Sequence, residues 1–515
     1  MLETIERQST SNKRIARNTL FLYIRLGVIM LVKLYTSRVL LNVLGIDDYG
    51  VYNAVAAFVI SFSFISSPLI TATQRFLNFD MGKGGFRLNT LFVTSFLLFI
   101  IVSLILTLGL ETVGTWFLNN KMNFPQDRVS AVNILFQLTV LSLVINILRM
   151  PYESTVIAEE KMSFYAIICM IEAFLTLGTA FMLKVEFYIN KLVLYGTLNV
   201  VYTILLMLVY KVYCNHKFPY TKIKNIRFNK ATAKEVCIFS GWNFFGSLAA
   251  MTATQGITTL INIFFGVVCN AAYGIAIQIQ SAVGNVVQNF QKAANPQITK
   301  SYSEGSLDHT RFLVVNVSKF SFILTLLFVV PLICNIDFVL KLWLGNNVPP
   351  SSQLFSCLVL CLVSLVSFAG PMEAGIMATG KIKSFQITFS ILIFLNIITT
   401  YLVFKHGASA YWAIIIKCIV ELVVIVVRIV YLRKGIALSA KYFTTNTFIP
   451  CAIIASISIF FIIAIVHIFP ESGWRRLIFS ATIYLLLLFL NTYFIALSKS
   501  QRRKLKRLNL RCVLS

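Results

Sequence analysis

The sequence predicts an all-α protein that crosses a membrane many times. Of its 515 residues, 58% are hydrophobic and 12% are charged, whereas soluble domains carry about 25% charged residues. The mean hydropathy is +0.81. The apolar residues occur in runs of the length that a membrane helix needs, which is about 20 residues. These observations exclude the ordinary soluble classes and leave a polytopic membrane protein.

Fourteen stretches are long and apolar enough to form transmembrane helices. We place them at 18–41, 49–72, 88–110, 131–150, 164–184, 191–213, 236–262, 269–292, 312–334, 351–372, 384–404, 410–431, 447–469 and 475–497. The first, seventh and eighth are the most polar. The segment before the first span is polar and carries both charges, so we expect no cleavable signal peptide and read the first span as a retained helix.

The basic residues predict the orientation of these spans. With the N-terminus in the cytoplasm, and with residues near the span limits counted with the adjoining loop, 32 of the 45 Lys and Arg residues lie on cytoplasmic segments and 8 on the outer side. The other 5 lie within spans: Arg25, Lys33, Arg38, Lys319 and Lys417. Because cytoplasmic loops carry the excess of Lys and Arg, both termini are expected in the cytoplasm. The same rule accounts for the net charge of +26 without a nucleic-acid partner. The basic tail is expected to contact membrane lipids.

Two short sequence motifs, called the repeated phrases below, each recur in similar form about 220 residues further along the chain. PYESTVIAEEK (151–161) and PMEAGIMATGK (371–381) follow the fourth and tenth spans, and LGIDDYGVYNA (44–54) and FGVVCNAAYGIAI (265–277) follow the first and seventh. Since six spans separate each pair, the sequence predicts two homologous six-helix bundles of the same orientation. A pseudo-symmetric pair of bundles around one cavity is typical of alternating-access transporters.

This repeat divides the chain into five predicted segments. They are an N-terminal six-helix bundle (1–213), a basic cytoplasmic linker (214–235), a C-terminal six-helix bundle (236–441), two additional transmembrane helices (442–497) and a basic cytoplasmic tail (498–515). Glu153 and Glu373 lie at matching places in the repeated phrase, where either a structural turn or a gate is expected.

No enzymatic constellation is visible. GIMATGKI (375–382) approaches a phosphate-binding loop, but Ile382 stands where that loop has a hydroxyl residue and no strand precedes it. The ten cysteines are scattered without metal-ligand spacing. There is no paired-carboxylate or nucleophile motif. We therefore expect no catalytic residue, no metal and no cofactor, and a protein that is not an enzyme.

Cations inside the first span point to an anionic solute. A charged side chain at the bilayer centre costs about 2.5–3.5 kcal/mol, so it needs water, an anion or an acidic partner. Arg25 and Lys33 are about 80° apart on a helix, and Arg38 follows near the outer end. With Lys292 and Lys319 they form the predicted cationic substrate-binding set. The alternative is that these side chains snorkel or make structural pairs.

A second candidate surface lies on the eighth span. Gln278, Ser281, Asn285 and Gln288 recur at helical spacing, and Lys292 continues the series. Amides and hydroxyls on one face suit a wet cavity that bonds sugars, although hydrogen bonding between helices is the alternative. Asn243 in the seventh span is a further predicted lining residue.

Acidic residues within the spans are scarce. Glu172 is the one that has no basic residue near it in sequence, which makes it the candidate for coupling to a proton. Glu421 follows Lys417 by one helical turn, so the charges of these two side chains are expected to neutralise each other.

The chain resembles the polysaccharide-type flippases. The resemblance rests on LGIDDYGVY after the first span, TQRFLNFDMGKG after the second, LKLWLG before the tenth and the fourteen-span plan. These flippases share a superfamily with the multidrug and toxic compound extruders and the lipid II flippases. The resemblance implies alternating-access flipping of undecaprenyl-pyrophosphate-linked oligosaccharide repeat units, for O-antigen, capsule or lipopolysaccharide biosynthesis, across a bacterial inner membrane. It also implies other polysaccharide assembly proteins as partners.

Two other functions stay open. The first is a cation-coupled multidrug extruder of the same superfamily, which would favour acidic residues in the N-terminal half. The second is a membrane glycosyltransferase or polymerase, which commonly needs a large extramembrane loop with carboxylates. The longest loop here is short and basic.

Overall fold

The protein is almost entirely helical. The computed structural model describes residues 2–120, 128–185, 190–223, 228–345, 348–497 and 502, without the side chains of 2–17, of several positions between 19 and 64, and of 267. These residues contain no strand, which confirms the all-α class. Only helices and closed barrels satisfy the backbone inside a bilayer. Residues 224–227 of the predicted linker and nearly all of the predicted tail lie outside the described residues.

Seventeen α-helices follow one another along the described chain. They are α1 (Leu2–Ser61), α2 (Ser67–Gly82), α3 (Leu88–Gly109), α4 (Thr115–Asn120), α5 (Val129–Ala158), α6 (Met162–Met182), α7 (Lys191–Lys217), α8 (Lys230–Ser303), α9 (Leu307–Cys334), α10 (Ile336–Leu344), α11 (Ser352–Val366), α12 (Ala369–Ala378), α13 (Lys383–Lys405), α14 (Trp412–Ile436), α15 (Ala440–Phe443), α16 (Ile449–Ile468) and α17 (Trp474–Asn491).

Eleven helical segments of the described chain are long and apolar enough to cross a membrane. They coincide with eleven of the fourteen predicted spans, and the protein is therefore a multi-pass membrane protein. The other three predicted spans are also helical. The span 49–72 runs from α1 after Gly45 through a 3₁₀ turn (62–66) into α2, the span 269–292 lies in α8 after Gly266, and the span 410–431 lies in α14. Helix α14 differs from the eleven by its charged residues Lys417, Glu421 and Arg428.

Two long helices are broken at glycines that lie at matching places in the repeated phrases. Gly45 in α1 has φ 81° and ψ 173°, and Gly266 in α8 has φ 78° and ψ −178°. This backbone conformation is essentially restricted to glycine, because a Cβ would clash with the chain. The sequence pair LGI and FGV therefore corresponds to the same sharp bend in each half of the chain.

The order and spacing of the helices also repeat. In the first half α3, α5, α6 and α7 begin at Leu88, Val129, Met162 and Lys191, and about 220 residues later α9, α11, α13 and α14 begin at Leu307, Ser352, Lys383 and Trp412. The chain divides into two compact units, unit 1 (1–244) and unit 2 (245–515). Helices α16 and α17 follow the repeat in unit 2.

Part of the predicted linker is held on unit 1. The Asn89 side-chain amide donates hydrogen bonds to the carbonyls of Tyr220 and Lys222, at 2.7 and 3.2 Å. The Tyr220 hydroxyl donates to Glu159 at 2.9 Å. Burial and the neighbouring Glu159 carboxylate raise the pKa of Tyr220, so this hydroxyl stays protonated and keeps its donor role. The start of the linker is therefore a fixed part of unit 1.

The last long helix, α17, is held against α9 and α10 by side-chain contacts. The Arg476 guanidinium at the start of α17 lies 3.0 Å from Asp337 and donates to Asn335 Oδ1 at 3.2 Å. The Asn335 amide donates in turn to Ser480 at 2.9 Å. Asn335 and Asp337 lie where α9 ends and α10 begins, whereas Arg476 and Ser480 lie on α17. A buried arginine thus has its charge and its donors satisfied.

Candidate functional site

The cations of α1 do not share one environment. Arg25 is half-buried in unit 1, with its guanidinium 5.0 Å from the ring centroid of Tyr165 and 3.9 Å from Cys169 Sγ, both on α6. Lys33 and Arg38 are exposed. Arg25 and Lys33, members of one predicted cationic set, thus differ in exposure. Arg25 lies on the same face as the buried Val32 and Thr36, which packs against the rest of unit 1.

Glu172 is not isolated, which corrects the expectation from its sequence neighbours. Its carboxylate lies 3.4 Å from the Arg149 guanidinium, which reaches it from α5. The Arg149 side chain is 13% exposed and that of Glu172 is 33% exposed. Arg149 also lies 5.7 Å from the ring centroid of Tyr210 on α7. Arg149 belongs to the 32 cations assigned to cytoplasmic segments, whereas the structure places it inside the packed helices.

A line of polar residues on α5 contains this arginine and was not among the predicted site residues. Ser142, Asn146, Arg149 and Glu153 follow at intervals of 4, 3 and 4 and so share one face of α5. Ser142 Oγ, Asn146 Oδ1 and Arg149 Nε are buried and have no hydrogen-bond partner among the described residues. Buried polar atoms of this kind commonly bond ordered water. The helical spacing was the signal that could have revealed the line.

Unit 2 contains a tighter charged cluster. Arg428 on α14 lies 2.8 Å from Glu373 on α12 and 2.6 Å from Glu421 on its own helix. Its side chain is only 3% exposed. The expectation that Lys417 neutralises Glu421 is therefore corrected, because Arg428 is its close ion-pair partner. The seven-residue interval between Glu421 and Arg428 places both on one helix face and was the signal in the sequence.

The polar series of α8 lies on one exposed face. Gln278, Ser281, Asn285 and Gln288 are exposed, whereas Val283 on the opposite face is buried. The Ser281 hydroxyl donates to the Ile277 carbonyl at 2.9 Å, which leaves its lone pairs available as acceptors. An uncovered line of amides would be costly against acyl chains, so this face suits contact with water or a polar solute.

Three other predicted lining residues are less accessible. Lys292 is half-buried at the end of the α8 series, and Asn243 is buried. Lys319 is 5% exposed, and its ammonium donates to the Ala496 carbonyl at 2.8 Å. The Ala496 carbonyl lies at the C-terminal end of the helical segment that continues α17, where carbonyls lack helical partners. A cation is favourable there because it compensates the negative end of the helix dipole. Lys319 therefore makes a structural contact in this structure, and its contact with a substrate stays a prediction.

The described residues hold no group of three or more His, Cys, Asp or Glu side chains arranged to bind a metal ion. The polar surfaces that the structure presents are an exposed amide and hydroxyl face on α8, exposed cations on α1, and a partly exposed ion pair inside unit 1.

Comparison with known proteins identifies solved structures that share this fold. No family model matches the chain, and no curated protein matches it. Solved structures do match. A MATE transporter in complex with MaL6 superposes with a TM-score of 0.69 at 13% identity, over 83% of this chain and 96% of that one.

Two further structures agree. An outward-facing multidrug resistance MATE family transporter of the MOP superfamily has a TM-score of 0.70 at 13% identity, with 83% of this chain and 96% of that one covered. A MOP superfamily transporter from Pyrococcus furiosus, described as having a binding pocket of reverse polarity, has a TM-score of 0.69 at 13% identity with the same coverage. At such identities the likeness is one of fold, and the chain has the fold of the MATE transporters of the MOP superfamily.

Proposed function

We propose that this protein exports an amphipathic solute by alternating access, and that its substrate is a lipid-linked oligosaccharide of the undecaprenyl-pyrophosphate type. The exposed polar face of α8 carries the proposal. Gln278, Asn285 and Gln288 offer amide donors and acceptors of the kind that bond sugar hydroxyls, and no described part of the protein covers them. A lipid tail can stay in the bilayer while the polar headgroup crosses, so a wet polar face is what the headgroup needs.

The cations of α1 favour an anionic headgroup. Lys33 and Arg38 are exposed, and at about 5 Å and an effective dielectric near 20 each cation–phosphate pair gains roughly 3 kcal/mol. In unit 1 the Glu172 carboxylate lies beside Arg149 and so does not offer an uncompensated negative site for an organic cation. We place the protein in a bacterial inner membrane with both termini in the cytoplasm, working with other proteins of surface polysaccharide assembly.

The second candidate is a cation-coupled multidrug extruder, and the solved structures favour it over the first. Those structures are MATE transporters, one of them described as a multidrug resistance transporter. The Pyrococcus furiosus protein shows that the same fold has also been described with a pocket of reverse polarity. The comparisons thus support the extruder, while the side chains of α1 and α8 support the glycolipid.

A deletion strain separates the two candidates. If the first is right, lipid-linked repeat units accumulate on the inner leaflet and surface glycan is lost, while resistance to cationic dyes is unchanged. Normal surface glycan together with lowered dye resistance would establish the extruder. Restoring the gene must restore the affected property.

The polar face of α8 is tested in the restored strain. Asn285→Leu removes an amide from the exposed face and is expected to reduce export severalfold. Val286→Leu, at the next position and about 100° further around the helix, is the matched control and should export normally. Both variants must accumulate in the membrane to the same level. Full export by Asn285→Leu would remove α8 from the substrate path.

A further inference from the structure

Four of the five tryptophans of the chain lie at the ends of membrane helices and are exposed. Trp116 on α4 is 54% exposed, Trp343 on α10 49%, Trp412 at the start of α14 44%, and Trp474 at the start of α17 58%. The fifth, Trp242, lies within the span Lys230–Gly266 and is half-buried. Because these four tryptophans are exposed, they are not part of the protein core.

The four helix ends belong to one membrane surface by the count of spans. Trp116 follows the third span and Trp343 the ninth, while Trp412 begins the twelfth and Trp474 the fourteenth. The end of an odd-numbered span and the start of an even-numbered span emerge on the same side. The basic loops and the basic tail emerge on the other side, so tryptophans and the excess of Lys and Arg are segregated.

The helical segments that carry the first two tryptophans each pack an apolar residue on the protein. In α4, which is the last part of the span Leu88–Asn120, Leu118 is buried while Trp116 and Phe117 are exposed. In α10 Leu340 is buried while Trp343 is exposed. Helix α10 is a separate short helix, and one apolar side packed on the protein with an aromatic residue on the other suits a position along the membrane surface.

The structure also fixes part of this surface in unit 2. The Trp474 ring packs edge-on against Phe338 of α10, with the ring centroids 5.3 Å apart. Arg476, two residues along α17, binds Asp337 of α10 at 3.0 Å. Helix α10 is thus attached to the start of α17 by an aromatic contact and an ion pair. Trp343 and Trp474 are carried on a fixed platform while their rings stay uncovered.

We propose that Trp116, Trp343, Trp412 and Trp474 form an interfacial belt that binds the boundary between phospholipid headgroups and acyl chains on the membrane surface opposite the basic loops. The indole ring is apolar with one N–H donor, and such a ring is favoured at that boundary. The occupant of this surface is the lipid bilayer itself. The belt fixes the depth in the membrane of α10 and of the end of the span Leu88–Asn120.

Fluorescence quenching by lipids tests the proposal. Variants that keep one tryptophan, with the others replaced by Phe, are reconstituted into vesicles whose lipids are brominated either near the headgroup or at the chain ends. For each of the four, bromine near the headgroup should cause the greater loss of emission. The variant that keeps Trp242 is the matched control, because its ring is half-buried within a span, and it should not show this preference for the shallow position.

The side of the membrane is tested with a quenching lipid added to one leaflet only. All four tryptophans should lose emission from the same leaflet. The proposal is overturned if any of the four rings is quenched by aqueous iodide but by neither brominated lipid, or if no quencher affects it. It is also overturned if bromine at the chain ends quenches a ring more strongly than bromine near the headgroup, or if a ring responds to the opposite leaflet from the others. If the multiple replacements prevent folding, single changes such as Trp343→Phe in the otherwise unchanged protein must each reduce the emission that shallow bromine quenches.

Discussion

In each unit an arginine lies near the glutamate of the repeated phrase. The two arginines differ in their exposure and in the ion pairs that they form. In unit 2 Arg428 is 3% exposed and binds Glu373 and Glu421 at 2.8 and 2.6 Å. In unit 1 Arg149 is 13% exposed and lies 3.4 Å from Glu172, which is 33% exposed. Glu153, the counterpart of Glu373, lies one turn from Arg149 on α5.

The difference indicates that the two arginines have different roles. Arg428 joins α12 to α14 with two short contacts, which is the geometry of a structural tie. Arg149 has a longer contact to a partly exposed carboxylate and lies in a line with buried, unpartnered polar atoms of Ser142 and Asn146. A cluster with access to water and spare hydrogen-bonding capacity can change partners, so unit 1 has the better candidate for a charge that responds during transport.

The largest expected effect is on the tie in unit 2. Arg428→Met removes a cation that is 3% exposed and leaves Glu421, 12% exposed, and Glu373, 31% exposed, without it. Breaking a buried pair in this way costs about 3–5 kcal/mol. We expect a large fall in the unfolding temperature of the purified protein in detergent. The triple variant with Glu373→Gln and Glu421→Gln should recover much of the loss, because no uncompensated charge remains. A single variant as stable as the wild type would refute the structural tie.

The backbone breaks provide the next comparison, since both units bend at a glycine. Gly266→Ala places a Cβ at φ 78° and ψ −178°, where strain of about 1–3 kcal/mol is expected. Gly274→Ala lies in the same helix with open space around its Cα, so it should leave stability equal or slightly higher. Thermal unfolding of the two variants measures the difference. If both alanines behave alike, α8 does not need the bend at Gly266.

The fold could be predicted from the sequence to a greater extent than the site. Hydropathy and the repeated phrases predict an all-helical membrane protein, because the bilayer demands long apolar helices whatever their side-chain contacts are. Which helix lies opposite Glu172 is decided by packing between α5 and α6, and no local pattern shows that. That the polar residues of α8 share one face could be predicted, because it depends on periodicity within a single helix; their contact with a substrate stays a prediction.

Charges near predicted helix ends were the main source of error. Arg149 and Arg428 lie at the limits of their predicted spans, so a count by loops assigns them to the cytoplasm. The structure extends α5 to Ala158 and α14 to Ile436, which brings both arginines inside packed helices. Lys319 differs in kind, because its partner is the Ala496 carbonyl, a backbone group 177 residues away in sequence.

A smaller effect is expected at the looser cluster. Arg149→Met removes one ion-pair contact to a carboxylate that water still reaches, so the cost lies between the surface and buried limits, at about 1–2 kcal/mol. The change is the same as that made at Arg428, which makes the two unfolding temperatures directly comparable. A loss at Arg149 as large as that at Arg428 would contradict the proposed difference between the units.

The smallest effect on stability is expected for Glu172→Gln, and this variant separates structure from transport. The glutamine side chain keeps the size of the original and can still accept a hydrogen bond from Arg149, so the free energy of unfolding should change by less than about 1 kcal/mol. If Glu172 carries a coupling proton, the variant loses the acceleration that an imposed pH gradient gives to transport in vesicles. Asp308→Asn, at a 98% exposed carboxylate, is the control and should retain it. Gradient-driven transport equal to that of the wild type would show that the partly exposed carboxylate in unit 1 is, like the pair in unit 2, part of the scaffold.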